Sequence, residues 1–192
     1  MTSGSPVARF IVRVFAWLPL AFVVWYFAAP VLLWPVKLAV EAVAALGLGD
    51  LVREVEQHGS TLTFVTSLRP GEARATRGTV TVDVNLLVYS FGLPLYAALV
   101  LAVRETGWLR RLALGALAML PFIAWGVLAD FLKNVAIASG PLVASQTGFV
   151  AWQREVIAFA YQFGALVLPT AVPAFAWVVL HRGFLERLRS TQ

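Results

Sequence analysis

Two aspartates are the residues of this sequence whose surroundings first suggest chemistry. Asp50 ends the stretch GLGD, which matches the GxGD pattern of intramembrane aspartic proteases, and Asp130 is the candidate second carboxylate near an apolar segment. Such an enzyme needs two carboxylates that share a proton and activate water. However, the chain has no Tyr-Asp pair inside an apolar segment, and Gly47 and Gly49 are typical of a helix end. A helix stop is the simpler interpretation, and a protease built on Asp50 and Asp130 is kept as an alternative.

A polar group surrounds Asp130. Lys133 and Asn134 follow it at i+3 and i+4, so the three side chains share one face if the segment is helical. Ionisable groups near the end of a membrane helix are candidates for function, although an interfacial ion pair is the simpler interpretation. We predict a polar cluster of Asp130, Lys133 and Asn134 at the membrane interface.

Other common site chemistries lack the residues they need. The chain has no cysteine, and its two histidines, His58 and His181, lie far apart without a ligand-like neighbour at i+3 or i+4. Thiolate sites are therefore excluded, and neither a histidine-based metal site nor a Ser-His-Asp triad is expected. The sequence predicts no catalytic residues, no cofactor and no metal.

The composition is that of a membrane protein. The chain is 60% hydrophobic and 13% charged, with a mean hydropathy of +0.81, whereas soluble domains average about 45–50% apolar and about 25% charged residues. The net charge is +5, but the basic residues flank apolar segments and so indicate membrane orientation rather than nucleic-acid binding. We expect a single integral membrane domain, residues 1–192, in contact with the lipid bilayer.

Four uncharged apolar segments approach the length needed to cross a bilayer, about 20 helical residues for a hydrocarbon core of ~30 Å. They contain 23, 20, 18 and 25 residues and predict transmembrane helices at about 14–36, 84–103, 112–129 and 156–180. Tyr161 in the last segment can hydrogen-bond to another helix. The predicted fold class is an all-α membrane protein with four spans.

The distribution of charge orients these spans. Residues 1–13, 104–111 and 181–192 carry eight arginines and two glutamates, whereas residues 37–83 and 130–155 carry seven basic and eight acidic residues. Because loops rich in lysine and arginine stay in the cytoplasm, both termini are predicted to be cytoplasmic. The predicted topology determinants are Arg9, Arg13, Arg104, Arg110, Arg111, Arg182, Arg187 and Arg189.

The segment between the first two predicted spans has strand character. The stretches LVREVEQ, STLTFVTSL and RGTVTVDVNLLV are rich in β-branched and alternating positions, and turn residues at 58–59 and 69–78 separate them. We predict a small antiparallel insertion of two or three strands at about 50–83, on the extracytoplasmic side. We predict an extracytoplasmic loop at 130–155 with short helical or interfacial pieces, because residues 134–153 are too polar for a span. A re-entrant segment there is left open.

A sheet this small cannot bury much core by itself. Its apolar residues Phe64, Val80, Val82 and Val84 must therefore rest either on the protein's own helices or on a partner. A free strand edge can also pair with another chain. These four residues are the candidate partner-docking residues, and both alternatives are left open.

Four stretches of the chain together resemble the exosortase H-associated membrane proteins. They are LPLAFVVWYFAAPVLLWPV (18–36), VNLLVYSFGLPLYAALVLA (84–102), LPFIAWGVLADFLKN (120–134) and YQFGALVLPTAVPAFAWVVLHRGFL (161–185). The resemblance implies a bacterial inner-membrane protein encoded near an exosortase, a multispan transpeptidase-like enzyme that processes C-terminally tagged exported proteins. Exosortases rely on Cys, Arg and His, so a chain without cysteine is not the exosortase itself.

The residues and the resemblance together predict a non-enzymatic accessory subunit of an exosortase-type protein-sorting system. The expected partner is the exosortase or its substrate, and no nucleic acid is expected. The alternative function is that of a small transporter or channel subunit. Such a protein would usually have more polar residues inside its spans than this chain has.

Overall fold

The computed structural model describes residues 6–70, 78–184 and 186. Within these residues helices predominate, and one small sheet lies between the second and third helices in chain order. Most of the predicted turn at 69–78 lies outside the described residues, as do Arg187 and Arg189.

The described elements follow one another with short connections. The helices are α1 (Pro6–Leu32), α2 (Trp34–Gly47), α3 (Leu87–Ser90), α4 (Gly92–Val103), α5 (Trp108–Lys133), α6 (Pro141–Gln146), α7 (Ala151–Gln162) and α8 (Leu168–Leu180). The strands are β1 (Val52–His58), β2 (Thr61–Thr66) and β3 (Thr81–Asn85). Two π-helical segments occur: Asn134–Ala138 continues α5, and Phe163–Val167 joins α7 to α8.

Three helical runs of the described chain are long and apolar enough to cross a membrane. They are Val7–Leu32, Trp108–Ala138 and Ala151–Leu180, and they correspond to the first, third and fourth predicted spans. The run Leu87–Val103 is apolar but has 17 residues, or ~26 Å at about 1.5 Å per residue, against a core of ~30 Å. The coarser form of the predicted fold class is thus confirmed: a mostly helical chain with candidate membrane helices and a small antiparallel sheet.

The apolar helix that corresponds to the second predicted span, about 84–103, starts after a strand. Val84 belongs to β3, and the helix begins at Leu87. The side-chain oxygen of Asn85 accepts the backbone N–H of Leu87 at 2.9 Å, a local bond that competes with the strand ladder and turns the chain. A strand therefore leads into an apolar helix with one residue between them.

A break at Leu33 separates α1 from α2. Pro35 has no backbone N–H, so the carbonyl of Val31 loses its helical donor. The neighbouring carbonyl of Pro30 accepts a hydrogen bond from Gln57 Nε2 at 2.9 Å. This hydrogen bond attaches the end of α1 to strand β1.

Helix α5 lies at the centre of the helical packing, where it contacts α2, α4, α7 and α8. Two of its glycines make room for tyrosine rings, because a Cβ at Gly115 would overlap the Tyr96 ring and a Cβ at Gly126 would overlap the Tyr89 ring. The Tyr96 hydroxyl donates to the carbonyl of Arg111 at 2.6 Å. Small residues allow this close approach between membrane helices.

Helix α1 lies at the periphery. Only 6% of its most apolar 18-residue stretch is buried. The corresponding share is 39% for the helical run that contains α5 and 33% for the run that ends with α8. It packs mainly on α4, and Phe15, Phe27 and Val31 are largely exposed. A continuous exposed apolar surface of this kind is typical of a helix in contact with lipid.

Within the described residues the sheet has the order β1-β2-β3, with both pairs antiparallel. Gly59 has a φ of 61° in the two-residue turn between β1 and β2, a conformation that favours glycine. Phe64 pairs with Val82 across β2 and β3, and both are buried. The predicted small antiparallel sheet is confirmed, and one of its faces packs on the helices.

The region predicted as an outward loop, 130–155, is mostly helical. It contains the end of α5, the first π-helical segment, α6 and the start of α7. Helix α6 has six residues, about 9 Å, so it is too short to reach far into a membrane core of ~30 Å. Gln146 at its end accepts the N–H of Arg69 at 3.0 Å and donates to the Arg69 carbonyl at 2.9 Å. This region is therefore attached to the segment that follows β2.

Single-cysteine variants test the four-span arrangement, since the natural chain has no cysteine. We expect a membrane-impermeant maleimide to label His58→Cys on β1 in cells with a permeabilised outer membrane, and to spare Thr106→Cys between α4 and α5. Both residues are exposed, so disruption of the membrane should make both reactive. Labelling of both before disruption would mean that Leu87–Val103 does not cross the membrane.

Gly126→Ala tests the packing of α5. The added methyl group overlaps the Tyr89 ring, and such overpacking destabilises by about 1–3 kcal/mol. Gly47→Ala is the matched control, because a Cβ there meets nothing within 4 Å. Thermal unfolding in detergent micelles should show a lower midpoint for Gly126→Ala alone; equal midpoints for the two variants would contradict this packing.

Candidate functional site

The structure brings the three predicted polar residues together at the end of α5. Lys133 Nζ lies 2.7 Å from Asp130 Oδ1. Asn134 Nδ2 donates to the same carboxylate oxygen at 3.1 Å and to the Asp130 carbonyl at 2.9 Å. Both members of the ion pair are partly buried, with side chains 15% and 25% exposed. A charge that is withdrawn from water needs such partners, because its desolvation is otherwise costly.

Two tyrosines from other helices complete this cluster. The ring of Tyr89 in α3 packs against Gly126, one helical turn before Asp130, and its phenol interacts electrostatically with the Asp130 carboxylate. Lys133 Nζ lies 4.2 Å from the centre of the Tyr161 ring of α7, a cation–π geometry. The cluster of Asp130, Lys133, Asn134, Tyr89 and Tyr161 therefore joins three helices, and we call it the Asp130 cluster.

Sequence reasoning missed Tyr89 as a member of the Asp130 cluster. Tyr161 was recognised as a hydrogen-bonding residue in an apolar segment, but without a partner. Neither tyrosine is near Asp130 in sequence, and no local spacing links them. The available signal was Gly126, one helical turn before Asp130, whose missing Cβ is what admits the Tyr89 ring.

The cluster lies at one end of its candidate span. From Trp108 to Asp130 the helix rises ~33 Å at about 1.5 Å per residue, slightly more than a hydrocarbon core of ~30 Å. The π-helical segment begins at Asn134, and the backbone N–H of Ser139 bonds to the Asn134 carbonyl at 2.8 Å, five residues back. Such segments occur frequently at functional sites, which makes this end of α5 the leading candidate for a functional position within the helices.

The Asp130 carboxylate is already engaged by a cation and an amide, and this suits a structural role more than the activation of water. Asp50 lies exposed in the turn before β1, where its carbonyl accepts the Ser67 hydroxyl. Among the described residues, no hydrogen bond joins Asp50 to Asp130. An aspartic protease would require the two carboxylates to share a proton, and that alternative stays an untested prediction.

Metal ligands do not cluster in the described part of the chain. No group of three or more His, Cys, Asp or Glu residues there could hold a metal ion. His58 lies 3.9 Å from Glu56 on β1, and His181 is buried beside Trp177 at the end of α8. The two histidines contribute to separate local contacts.

The predicted docking residues of the sheet are core residues in this chain. Phe64 and Val84 are fully buried, Val82 is nearly so, and Val80 is partly buried against the same core. Phe64 stacks on Phe131 of α5, with ring centroids 4.4 Å apart. The sheet uses its apolar face to pack on its own helices, which is the first of the two alternatives, and a docking role for these four residues stays a prediction. The accessible parts of the sheet are its opposite face and its edges.

The variant Asp130→Asn tests the energetic weight of the Asp130 cluster. It removes the anion and leaves Lys133 partly buried without a counter-charge, and an unsatisfied group of this kind costs about 1–3 kcal/mol. We expect a lower midpoint of thermal unfolding in detergent, and partial recovery in Asp130→Asn/Lys133→Met. Equal midpoints for the single and double variants would show that the unpaired Lys133 ammonium carries no cost and would contradict this account.

Comparison with known proteins now identifies the family. Residues 4–184 match the exosortase H-associated membrane proteins, so the chain belongs to this family and the resemblance seen in the sequence is confirmed. No curated protein and no solved structure matches the chain.

Proposed function

We propose that this exosortase H-associated membrane protein is a non-enzymatic accessory subunit of an exosortase-type protein-sorting system. The observation that carries the proposal is the family match, which extends over residues 4–184 and therefore over both the helices and the sheet. The protein would lie in the inner membrane of a bacterium with both termini in the cytoplasm, as the arginine distribution indicates. Its outward-facing sheet would contact the exosortase or its substrate at the membrane surface.

The attachment of the sheet to the helices supports a docking role. Three contacts fix it at separate points: the Phe64–Phe131 stack, the hydrogen bond from Gln57 to Pro30, and the paired hydrogen bonds between Gln146 and Arg69. A surface that is held in one position binds a partner with a smaller loss of conformational entropy. The sheet would thus present a preformed surface next to the spans.

A transporter or channel subunit is the second candidate, and one observation favours it. The Asp130 cluster places an ion pair and two tyrosines beside a π-helical segment at the end of a candidate span, and ionisable residues in such positions often line ion or proton pathways. This candidate requires water to reach the cluster from both sides of the membrane. Thiol reagents applied to Ala129→Cys and Val135→Cys would detect such access.

Co-purification from the native host tests the proposed function. A tag placed after Gln192 should recover an exosortase from mildly solubilised membranes, and an unrelated tagged multispan protein should not. Export substrates should also be processed abnormally in cells that lack this chain. Recovery of the tagged chain alone, together with normal processing of the substrates in its absence, would contradict the proposal and favour an autonomous transporter or channel.

A further inference from the structure

A polar cleft of about 720 Å³ lies between α2 and the edge of the sheet. One wall is formed by Trp34, Lys37 and Glu41, which lie on one stripe of α2. The other wall is residues 54–59, the regular part of β1 and its turn. The cleft therefore follows the edge of a strand along almost its whole length.

The edge of β1 has unused backbone hydrogen-bonding groups. In the described residues β1 pairs on one side only, with β2. Along an antiparallel ladder every second residue directs its N–H and C=O away from the neighbouring strand. No described backbone hydrogen bond runs from residues 54–58 to α2. The irregularity between Val52 and Glu54 disrupts the start of this edge but leaves the part that lines the cleft regular.

The charges that line the cleft are mainly acidic, and the exposed cation Arg53 lies at the irregular start of β1, outside the lining. Glu54 and Glu56 are two residues apart on β1, so both side chains lie on the outward face. The cation Lys37 in the opposite wall is paired with Glu41 at 2.7 Å. Asp83 lies on the same outward face of β3, where it accepts the Thr63 hydroxyl at 2.7 Å. A segment that entered the cleft would therefore meet carboxylates beside free backbone groups.

A second copy of this chain fits the edge poorly. If two β1 strands paired antiparallel about Val55, Glu54 of each would lie opposite Glu56 of the other. Like charges directly opposite each other across strands are destabilising. The acidic edge thus disfavours self-association and favours a partner of opposite charge.

We propose that the β1 edge binds an extended segment of a partner protein by strand addition, with lysine or arginine at alternate positions beside Glu54 and Glu56. Backbone hydrogen bonds would supply affinity, and the alternate basic side chains would supply selectivity. This inference rests on the proposed function only in assuming that the partner belongs to the sorting system. The recognition chemistry follows from the cleft, the free edge and the two glutamates.

Binding of a defined peptide tests the charge requirement. The probe is fluorescently labelled Thr-Lys-Val-Lys-Val-Lys-Thr, and the receptor is the full chain in phosphatidylcholine nanodiscs, which carry no net anionic charge to attract the peptide. We expect fluorescence anisotropy to show saturable binding whose affinity falls as the salt concentration rises. We also expect the affinity to fall at least tenfold in Glu54→Lys/Glu56→Lys. The matched control is Glu155→Lys/Glu186→Lys, which makes the same charge change at exposed residues outside the cleft and should bind as the natural chain does.

A second arm tests the strand-addition geometry. A peptide of the same sequence that is N-methylated at every residue keeps its charges but has lost its backbone donors, and we expect it not to bind. Equal binding of the methylated peptide, equal loss in both double variants, or no binding to the natural chain would each overturn the inference. If Glu54→Lys/Glu56→Lys does not fold, Glu54→Gln/Glu56→Gln replaces it and should weaken binding in the same direction.

The outcomes also separate this inference from the proposed function. Recovery of an exosortase by both the natural chain and Glu54→Lys/Glu56→Lys would leave the accessory role intact and overturn docking at this edge. Charge-dependent peptide binding, without recovery of an exosortase and with normal substrate processing in cells that lack the chain, would support the edge and contradict the accessory role. A dimer of the natural chain that Glu54→Lys/Glu56→Lys abolishes would show that a second copy occupies the edge, and would overturn the inference.

Discussion

The apolar face of the small sheet must be covered, and much of the described structure follows from how helix α5 covers it. Three short strands cannot form an independent core, so Phe64 stacks on Phe131 instead of facing water or a partner. Because β3 leads into α3 with one residue between them, this contact also fixes where the next helix begins. The sheet and the helices therefore form a single packing unit rather than a domain and an anchor.

Helix α5 is also the surface on which other helices pack. Its glycines at 115 and 126 admit the rings of Tyr96 and Tyr89, and this allows α3 and α4 to lie close to it. Tyr89 then lies beside Asp130 and interacts with its charge, so a packing feature in the apolar part of the helix places an aromatic ring next to its polar end. The Asp130 cluster combines neutralisation of a partly buried charge with attachment of α3 and α7 to α5, and this double role explains why its groups are mutually satisfied.

These contacts decide which surfaces remain for a partner. The apolar face of the sheet is used internally, while the outward face and the β1 edge carry Glu54, Glu56 and Asp83. Recognition at such a surface would depend on charge and backbone hydrogen bonds more than on apolar burial. That expectation differs from the one suggested by the hydrophobic composition of the chain, because most of its exposed apolar surface lies on α1 and the other candidate spans, where lipid can cover it.

The sequence by itself determined the membrane class, three of the candidate spans, the antiparallel sheet and the spacing of Asp130, Lys133 and Asn134. Each of these depends on hydropathy or on periodicity within a few residues, which a single sequence displays directly. Only the tertiary structure decided that Tyr89 joins Asp130, that Phe64 and Val84 are core residues, and that β1 is an edge beside α2. These features depend on contacts between residues far apart in the chain, and local patterns cannot distinguish an apolar strand face that packs on its own helix from one that awaits a partner. The helix after β3 begins later than the predicted second span for a related reason. Val84 is apolar enough for a span, but the hydrogen bond from the Leu87 N–H to the Asn85 side-chain oxygen and the pairing of β3 with β2 keep it in the sheet.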